Sequence, residues 1–593
     1  MGSRGEGGKY RSIMAKAKIM KSKHPQGRPS VFIAIGYQEI YDDFETVNPL
    51  DLLEEVPTTA VLKFIAEKYA DVFYAQSDIA GQRQHIRDFC PYLPDNIKRR
   101  VWNFIRRTEK AGNHAFIYGA MGCQMVYRLA LQRYVALDDG DDVELCKDEY
   151  ELVFKSILYC NSVWTNQQLS EGDKNIGDIS LKMDMPIAES KHYKDFRPQL
   201  YKASQFYNFC EKDATFKTYL PLFLKDKGVA NWGEYLTLLF GIYYHSIKSV
   251  ILPQGNDIEQ KFLSQFVINV NDAPVASLWE DGYKGLSYLR NHFLYELPGG
   301  EYLLLDANLL IDKFYQGLKF DLFNTVRRNS LLNAKGKPYK DQPQFNATLG
   351  DVFSERHLLY SLMEMIYSGG NAVKFTGEEL KLKGIDAELD YYLRIGNTLF
   401  LIEYKDVLFP DNLRYSDNVD DIKQGIKDRL CKDDGVNPRK GGGQLLYNID
   451  RILNHGLLDT IDPEVSEVKC IYPLLVTTDS AFSALGVNLT VTEEFDKIMK
   501  SRYSFTKDVM IYVPVIVNID SLILLAYRLH KTSLQLNELL RDYIVGNWLN
   551  ISSFDNYVFD ECKENNTERE QGMVFLLGDL VHKVALMTQW MQG

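Results

Sequence analysis

The stretch "LFLIEYKD", residues 399–406, sets Glu403 and Lys405 two positions apart in an otherwise apolar run. Side chains alternate along a strand, so both charges share the face that carries Leu399 and Leu401. Just upstream, "IDAELDYYLRI" at 385–395 reads as a second strand. Its one face carries Ile385, Ala387, Leu389, Tyr391, Leu393 and Ile395; the other carries Asp386, Glu388, Asp390, Tyr392 and Arg394. Gly396-Asn397 joins the two runs, and both residues tolerate the positive φ of a two-residue hairpin turn. With that turn Ile395 faces Thr398, Asp390 comes opposite Glu403, and Glu388 comes opposite Lys405. Facing Cβ atoms lie about 4.5–5.5 Å apart, where like charges repel. Solvent, a shared proton or a divalent cation must compensate. Carboxylate oxygens suit Mg²⁺ or Mn²⁺, which also keep waters and bind substrate phosphate. Lys405 would then orient or deprotonate a water, or stabilise charge on a phosphate. The plainer alternative is a solvated sheet face with a Glu388–Lys405 ion pair, and a one-residue slip in the turn would break the register.

Two further groups bear on this choice. In "DVFSERHLLYSLMEMIYSG", Glu355 falls in line with Leu358, Leu359, Leu362 and Ile366 at helical spacing. A carboxylate on an apolar stripe needs a partner or a metal, unless it only answers the positive end of the helix dipole. Glu364 lies on the polar side with His357, Tyr360 and Ser361 and ranks second. After the hairpin and a long charged loop comes "RKGGGQLLYNIDRIL". Glycines entering a helix leave backbone N–H groups free for an anion such as phosphate, with Gln444 and Tyr447 on the first turns. A flexible linker before an ordinary helix start is the alternative.

The elements that must position these groups form an alternating pattern after about residue 350. A helix, short strands near 372, 385–395 and 398–406, a helix from Gln444, then strands in "KCIYPLLVTT" and "DVMIYVPVIVNI" predict an α/β fold with a mixed central sheet flanked by helices. A helix-rich stretch closes the chain. Residues 57 to about 270 show mostly helical periodicity, as in "TAVLKFIAEKYADVF" and "GEYLTLLFGIYYHSIKSVIL". "QQLSEGDKNIGDISLKMDMPIAES" reads as a polar connector and "RRNSLLNAKGKPYKDQPQFNATLGD" as a linker or long loop. The expected division is therefore a tail at 1–30, a mostly α-helical N-terminal domain at 31–345, and an α/β domain with a helical extension at 346–593. The aromatic-rich segments "FGIYY" and "QFYNFC" are expected in the core rather than as base-stacking platforms.

Taken together, "ELDYYLRIGNTLFLIEYK" resembles the core of the PD-(D/E)xK nuclease superfamily: an acid on one strand, about a dozen residues, then Glu-x-Lys on the next. The upstream Glu355 and the downstream Gln444-x-x-Tyr447 helix fit branches of that superfamily, and Leu389 stands where a proline often precedes the acid. The likeness covers roughly 350–480. It implies a restriction-endonuclease-like core and Mg²⁺-dependent (or Mn²⁺-dependent) hydrolysis of phosphodiester bonds, DNA being favoured, in restriction, repair or prokaryotic antiviral defence. It further implies that Asp390, Glu403 and the Tyr404 carbonyl hold the metal, Lys405 positions the attacking water, Glu355 supports the metal shell, and Gln444 orients Lys405 or the phosphate.

Two alternatives stand beside it. One is a non-catalytic nucleic-acid-binding or assembly protein that keeps a nuclease-like fold. The other is a ribonuclease: "YLLLDANLLID" at 302–312, a strand ending in Asp306 with Asp312 nearby, resembles the opening of PIN-type domains, though no convincing set of later acids follows. The helical N-terminal region is expected to serve as a sensor, a clamp, or a surface for a partner protein or self-association.

Composition narrows the classes. At 593 residues, two or three domains are expected. The net charge of −12 excludes a surface that is nucleic-acid-binding throughout. The N-terminal tail is the local exception, with Arg4, Lys9, Arg11, Lys16, Lys18, Lys21, Lys23 and Arg28 against Glu6 alone. "GEGGKY" there has the wrong glycine spacing for a phosphate loop, and Tyr10 where Ser or Thr belongs. None of the eight scattered cysteines forms a CxxC pair, and no apolar run is long enough for a bilayer or a secretory signal. A cytoplasmic protein with no membrane association is expected.

Overall fold

The strand Thr398–Lys405 is apolar on both faces until its last residues, and such a strand has to lie inside a sheet covered above and below. The computed structural model describes residues 32–74, 79–138, 143–168, 175–189, 194–370, 372–505, 508–546 and 551–589. In it this strand is central. The sheet runs Ala372–Thr376, Tyr391–Ile395, Thr398–Lys405, Cys470–Thr477, and then Met510–Ile511 and Val515–Asn518 along the same outer side. The first two pairings are antiparallel and the rest parallel. One face (Leu399, Leu401, Ile471, Leu475, Ile516) packs on Leu445, Leu446 and Ile449 of the helix Gly442–His455 and on Val491 and Phe495 of Val487–Arg502. The other (Phe400, Ile402, Leu474, Val476, Val517) packs on Phe206, Leu358, Leu362 and Leu522. The expected α/β class, a mixed sheet flanked by helices, is the observed one.

Pro473 lies inside the central strand Cys470–Thr477 and has no N–H to donate. The sheet accommodates it because the outer neighbour is interrupted there: Ile471 pairs with Ile511 and Leu474 with Val515, leaving 512–514 out of the ladder. Arg394, expected on a polar face, is buried instead. Its Nε and Nη2 reach Asp462 at 2.6 and 2.7 Å, and the Tyr392 hydroxyl donates to the same carboxylate.

The N-terminal half is mostly helical, with a core of its own around Val61, Ile65, Leu129, Phe154 and Leu158. A second core, from Phe196 to Leu580, is continuous across residue 345, where a boundary was expected. It joins the helix Phe196–Lys212 to the sheet and to the helix Asn566–Gln589. "QFYNFC" is buried in it, whereas "FGIYY" divides: Tyr243 is inside, and Tyr244 is 57% exposed.

Four sequence expectations need correction. The connector contains a helix, Ile176–Asp184, started by the Asn175 side chain accepting from Asp178 N–H. The linker contains another, Gln342–Leu349, capped by Asp341. The long charged loop holds Asp411–Arg414, Val419–Leu430 and a ribbon pairing Cys431–Lys432 with Lys440–Gly441. The strand foreseen at 385–395 is only Tyr391–Ile395, because its neighbour Ala372–Thr376 turns into the helix Gly377–Leu382 and leaves the earlier residues nothing to pair with. The basic tail at 1–30 lies outside the described residues. Among the described residues no helix is long and apolar enough to cross a membrane. None of the eight cysteines is in a disulfide.

Candidate active site

The hairpin has the expected register. Ile395 faces Thr398 and Tyr391 faces Ile402, with Gly396 in the turn at φ 54°. One step beyond the last pair stand Asp390 and Glu403. Asp390 bends in to accept the Tyr404 N–H on Oδ2 at 2.7 Å, so a backbone donor fixes the acid on its neighbour strand. Glu403 is 1% exposed, so its face is not the solvated one of the plainer alternative. Its Oε1 meets Lys405 Nζ at 2.5 Å, and its Oε2 is buried without a hydrogen-bond partner. Burial and then the Asp390 charge hold the Glu403 carboxyl well above the ordinary range. Asp390 is raised as well, by burial, against the pull of Lys405 and the Tyr404 N–H. The Tyr404 side chain leaves by the opposite face, where its hydroxyl meets Thr478 Oγ1 at 3.0 Å.

Lys405 closes the site toward the helix Gly442–His455. Its Nζ also donates to Gln444 Oε1 at 2.9 Å, and that oxygen accepts the Gly441 N–H at 2.8 Å. Burial pulls the ammonium down, and Glu403, Asp390 and Glu355 together more than reverse it, so Lys405 is held protonated. The Glu388–Lys405 pair does not form: Glu388 lies before the strand and meets Arg439. The glycines ahead of Gln444 are not a flexible linker. Gly441 has φ 50°, and a Cβ on Gly443 would meet the Lys432 carbonyl oxygen at 2.1 Å. The helix start can press onto the ribbon only without side chains, and that contact sets the height of Gln444 against Lys405. Gly443→Ala is therefore expected to destabilise the chain by about 1–3 kcal/mol and to loosen the Gln444–Lys405 contact. Thermal melting checks the first effect, and an unchanged melting temperature would mean the backbone shifts at no cost.

Glu355 arrives from the opposite helix. Gly350–Leu359 winds as a π-helix before continuing as the α-helix Tyr360–Ile366, and Tyr360 N–H bonds to the Glu355 carbonyl five residues back. The wider turn brings residues five apart onto one side, and the Tyr360 hydroxyl donates to Glu355 Oε1 at 3.0 Å. The α-helical stripe expected for Glu355 thus does not apply at this turn. Burial, then the Asp390 charge, pushes the Glu355 carboxyl from 4.5 to about 7. Glu355, Asp390 and Glu403 sense one another's charge and titrate as a set.

A carboxyl raised on folding binds its proton more tightly in the native state, so its contribution to stability is present at low pH and is lost as pH rises from about 4.5 through about 7. Glu355→Gln is expected to flatten the fall in melting temperature over that window in EDTA. Calorimetry of both proteins at a series of pH values measures it, and parallel curves would remove Glu355 from the coupled set.

Several residues of the site carried no sequence signal. Thr477, paired with Lys405 across the parallel ladder, has a buried hydroxyl without a partner on the same face. Asp406, next to Lys405, reaches Ser354 and Lys319 on the far side of the strand. Arg439 stacks on the Tyr447 ring at 3.8 Å and Arg451 lies at 5.6 Å. Glu364 is bound to Lys374 at 2.6 Å. Asp306 caps the helix Ala307–Asp312, and Asp312 pairs with Lys194 at 2.6 Å. Among the described residues no three His, Cys, Asp or Glu side chains gather as a metal-holding group. The arrangement instead offers two strand carboxylates, a lysine fixed by an amide, and a third acid poised near neutrality. No family model, curated protein or solved structure matches the chain.

Proposed function

We propose that the chain is a metal-dependent nuclease with a restriction-endonuclease-like core of the PD-(D/E)xK kind, hydrolysing phosphodiester bonds in DNA. One observation carries the reading: Glu403 Oε2 is buried beside Asp390 with no hydrogen-bond partner. A buried carboxylate oxygen in that state needs a proton or a cation, and its hard oxygen donor fits Mg²⁺ or Mn²⁺. Asp390, Glu403 and the Tyr404 carbonyl would hold the ion, with Glu355 beside them. When bound, it would supply Lewis-acid polarisation of a phosphoryl oxygen and a more acidic water.

The remaining work falls to the chain. Gln444 Oε1 fixes the Lys405 ammonium, which orients the attacking water and offsets charge on the phosphate. Glu355, raised to about 7, takes up a proton near neutral pH while Tyr360 holds its side chain in place. The setting we propose, restriction, repair or antiviral defence in the cytoplasm, rests on analogy with such nucleases. So does a role for the helical N-terminal half in binding a partner protein or a second copy.

The test is incubation of the full chain with plasmid, single-stranded DNA and RNA in Mg²⁺, Mn²⁺ or EDTA. DNA cleavage that needs the metal is expected. Cleavage of RNA alone would favour a ribonuclease. Metal binding with no cleavage of any substrate would favour a nuclease-like assembly protein.

A further inference from the structure

Directly behind the proposed site lies a buried ionic junction that belongs to three parts of the chain. Asp406 follows Lys405 and faces the opposite side of the sheet. Its Oδ1 meets Lys319 Nζ at 3.2 Å, and its Oδ2 accepts from Ser354 Oγ at 2.6 Å. Lys319 is 2% and Asp406 5% exposed at the side chain. Despite its burial, Asp406 stays below the ordinary carboxylate range because Lys319, Ser354 and Thr478 all stabilise its charge. Lys319 also lies over the Tyr315 ring at 5.3 Å.

The chain connectivity gives this junction its meaning. Ser354 immediately precedes Glu355, and Asp406 immediately follows Lys405. One carboxylate therefore ties the backbone beside the third acid to the backbone beside the lysine. Gly350, where the π-helix begins, would place a Cβ 3.6 Å from Asp406 Cβ, so the start of that winding is seated on the same residue. Lys319, from the helix Gln316–Arg328, completes the charge from the chain segment before 345.

We infer that Lys319, Asp406 and Ser354 are positioning residues through which the N-terminal part of the chain sets Glu355 against Lys405 and thereby tunes metal affinity at the site; the inference rests on the metal-dependent reading above. A buried charge held by three partners has one arrangement. Loss of a partner lets the helix bearing Glu355 move relative to the strand bearing Lys405. Residues that orient metal-binding groups from behind typically change affinity or activity 10–100-fold when replaced.

The test uses the full-length chain and three variants, Ser354→Ala, Lys319→Met and Lys319→Arg, each checked for folding by circular dichroism and melting. Mn²⁺ affinity is measured by titration calorimetry, and the Mn²⁺ and pH dependence of DNA cleavage are measured beside it. Ser354→Ala is expected to weaken Mn²⁺ binding about tenfold with little change in melting temperature, Lys319→Met at least as much, and Lys319→Arg within about twofold of wild type. Wild-type Mn²⁺ affinity and pH profile in both Ser354→Ala and Lys319→Met, with only a lower melting temperature, would make the junction purely structural and overturn the inference. A wild-type chain that binds no Mn²⁺ would instead bring down the metal reading, and this inference with it.

Discussion

Lys405→Ala is expected to lower metal-dependent DNA cleavage by about 10³-fold while leaving the chain folded. The side chain is 18% exposed and stands among Glu403, Asp390 and Glu355, which all draw its proton inward. Removing it has two consequences for the chemistry. The ammonium we propose to orient the water is gone, and Gln444 Oε1 keeps the Gly441 N–H. The carboxyls then face one another without a counter-charge, so Glu403, already raised by burial and Asp390, rises further and holds its proton more tightly. A neutral carboxyl is a poorer metal donor, and the two losses compound. Protonation also explains why the fold survives, since the variant need not keep an unpaired buried charge. Single-turnover cleavage in saturating Mn²⁺, with circular dichroism alongside, measures the effect. A rate within tenfold of wild type would remove Lys405 from the reaction.

Glu403→Gln makes the opposite demand on stability. The carboxyl sits at the centre of the sheet with one oxygen lacking a partner, and its affinity for protons is higher in the folded chain than in the unfolded one. Above the ordinary carboxylate range this group works against folding, increasingly so as pH rises toward its folded value. The amide has nearly the same shape and can still accept from Lys405, without the repulsion from Asp390. In EDTA at neutral pH, Glu403→Gln is expected to stabilise the chain by about 1–3 kcal/mol, visible as a rise in melting temperature, and to abolish cleavage to about 10³-fold below wild type. Addition of Mn²⁺ should raise the melting temperature of wild type and leave the variant nearly unmoved. A variant less stable than wild type in EDTA would mean that Glu403 is satisfied in the apo protein, and the main observation behind the metal reading would be lost.

The hairpin was legible because its determinants are local. Gly396-Asn397 fixes the turn, strand alternation fixes the faces, and the register from Ile395–Thr398 to Tyr391–Ile402 follows from those two alone. Gln444 was legible through its glycines, although their reason was not: the Gly443 contact with Lys432 depends on a ribbon between residues that look, in one dimension, like charged loop. Glu355 was found on an α-helical count, yet its partner Tyr360 sits five residues on, a neighbour only in the wider winding. Whether the face of Glu403 is solvated or covered could not be read locally, because the helix that packs on it lies more than thirty residues away in sequence. Asp406 gave no signal at all. Its partners Lys319 and Ser354 are 87 and 52 residues distant, and nothing local distinguishes a buried aspartate at a strand end from a solvated one.

The core that covers the far face of the sheet includes Phe196 and Leu580. On a ribosome those two side chains emerge hundreds of residues apart, so the core over that face is incomplete until the helix Asn566–Gln589 has been made and packs on the helices there. Contacts of such long sequence separation slow folding and leave apolar strands uncovered in the meantime. Until that helix is made, the far side of the strand Thr398–Lys405 is incompletely packed in the nascent chain. Its window for aggregation, and its need for chaperones, should be set by the arrival of the helix Asn566–Gln589.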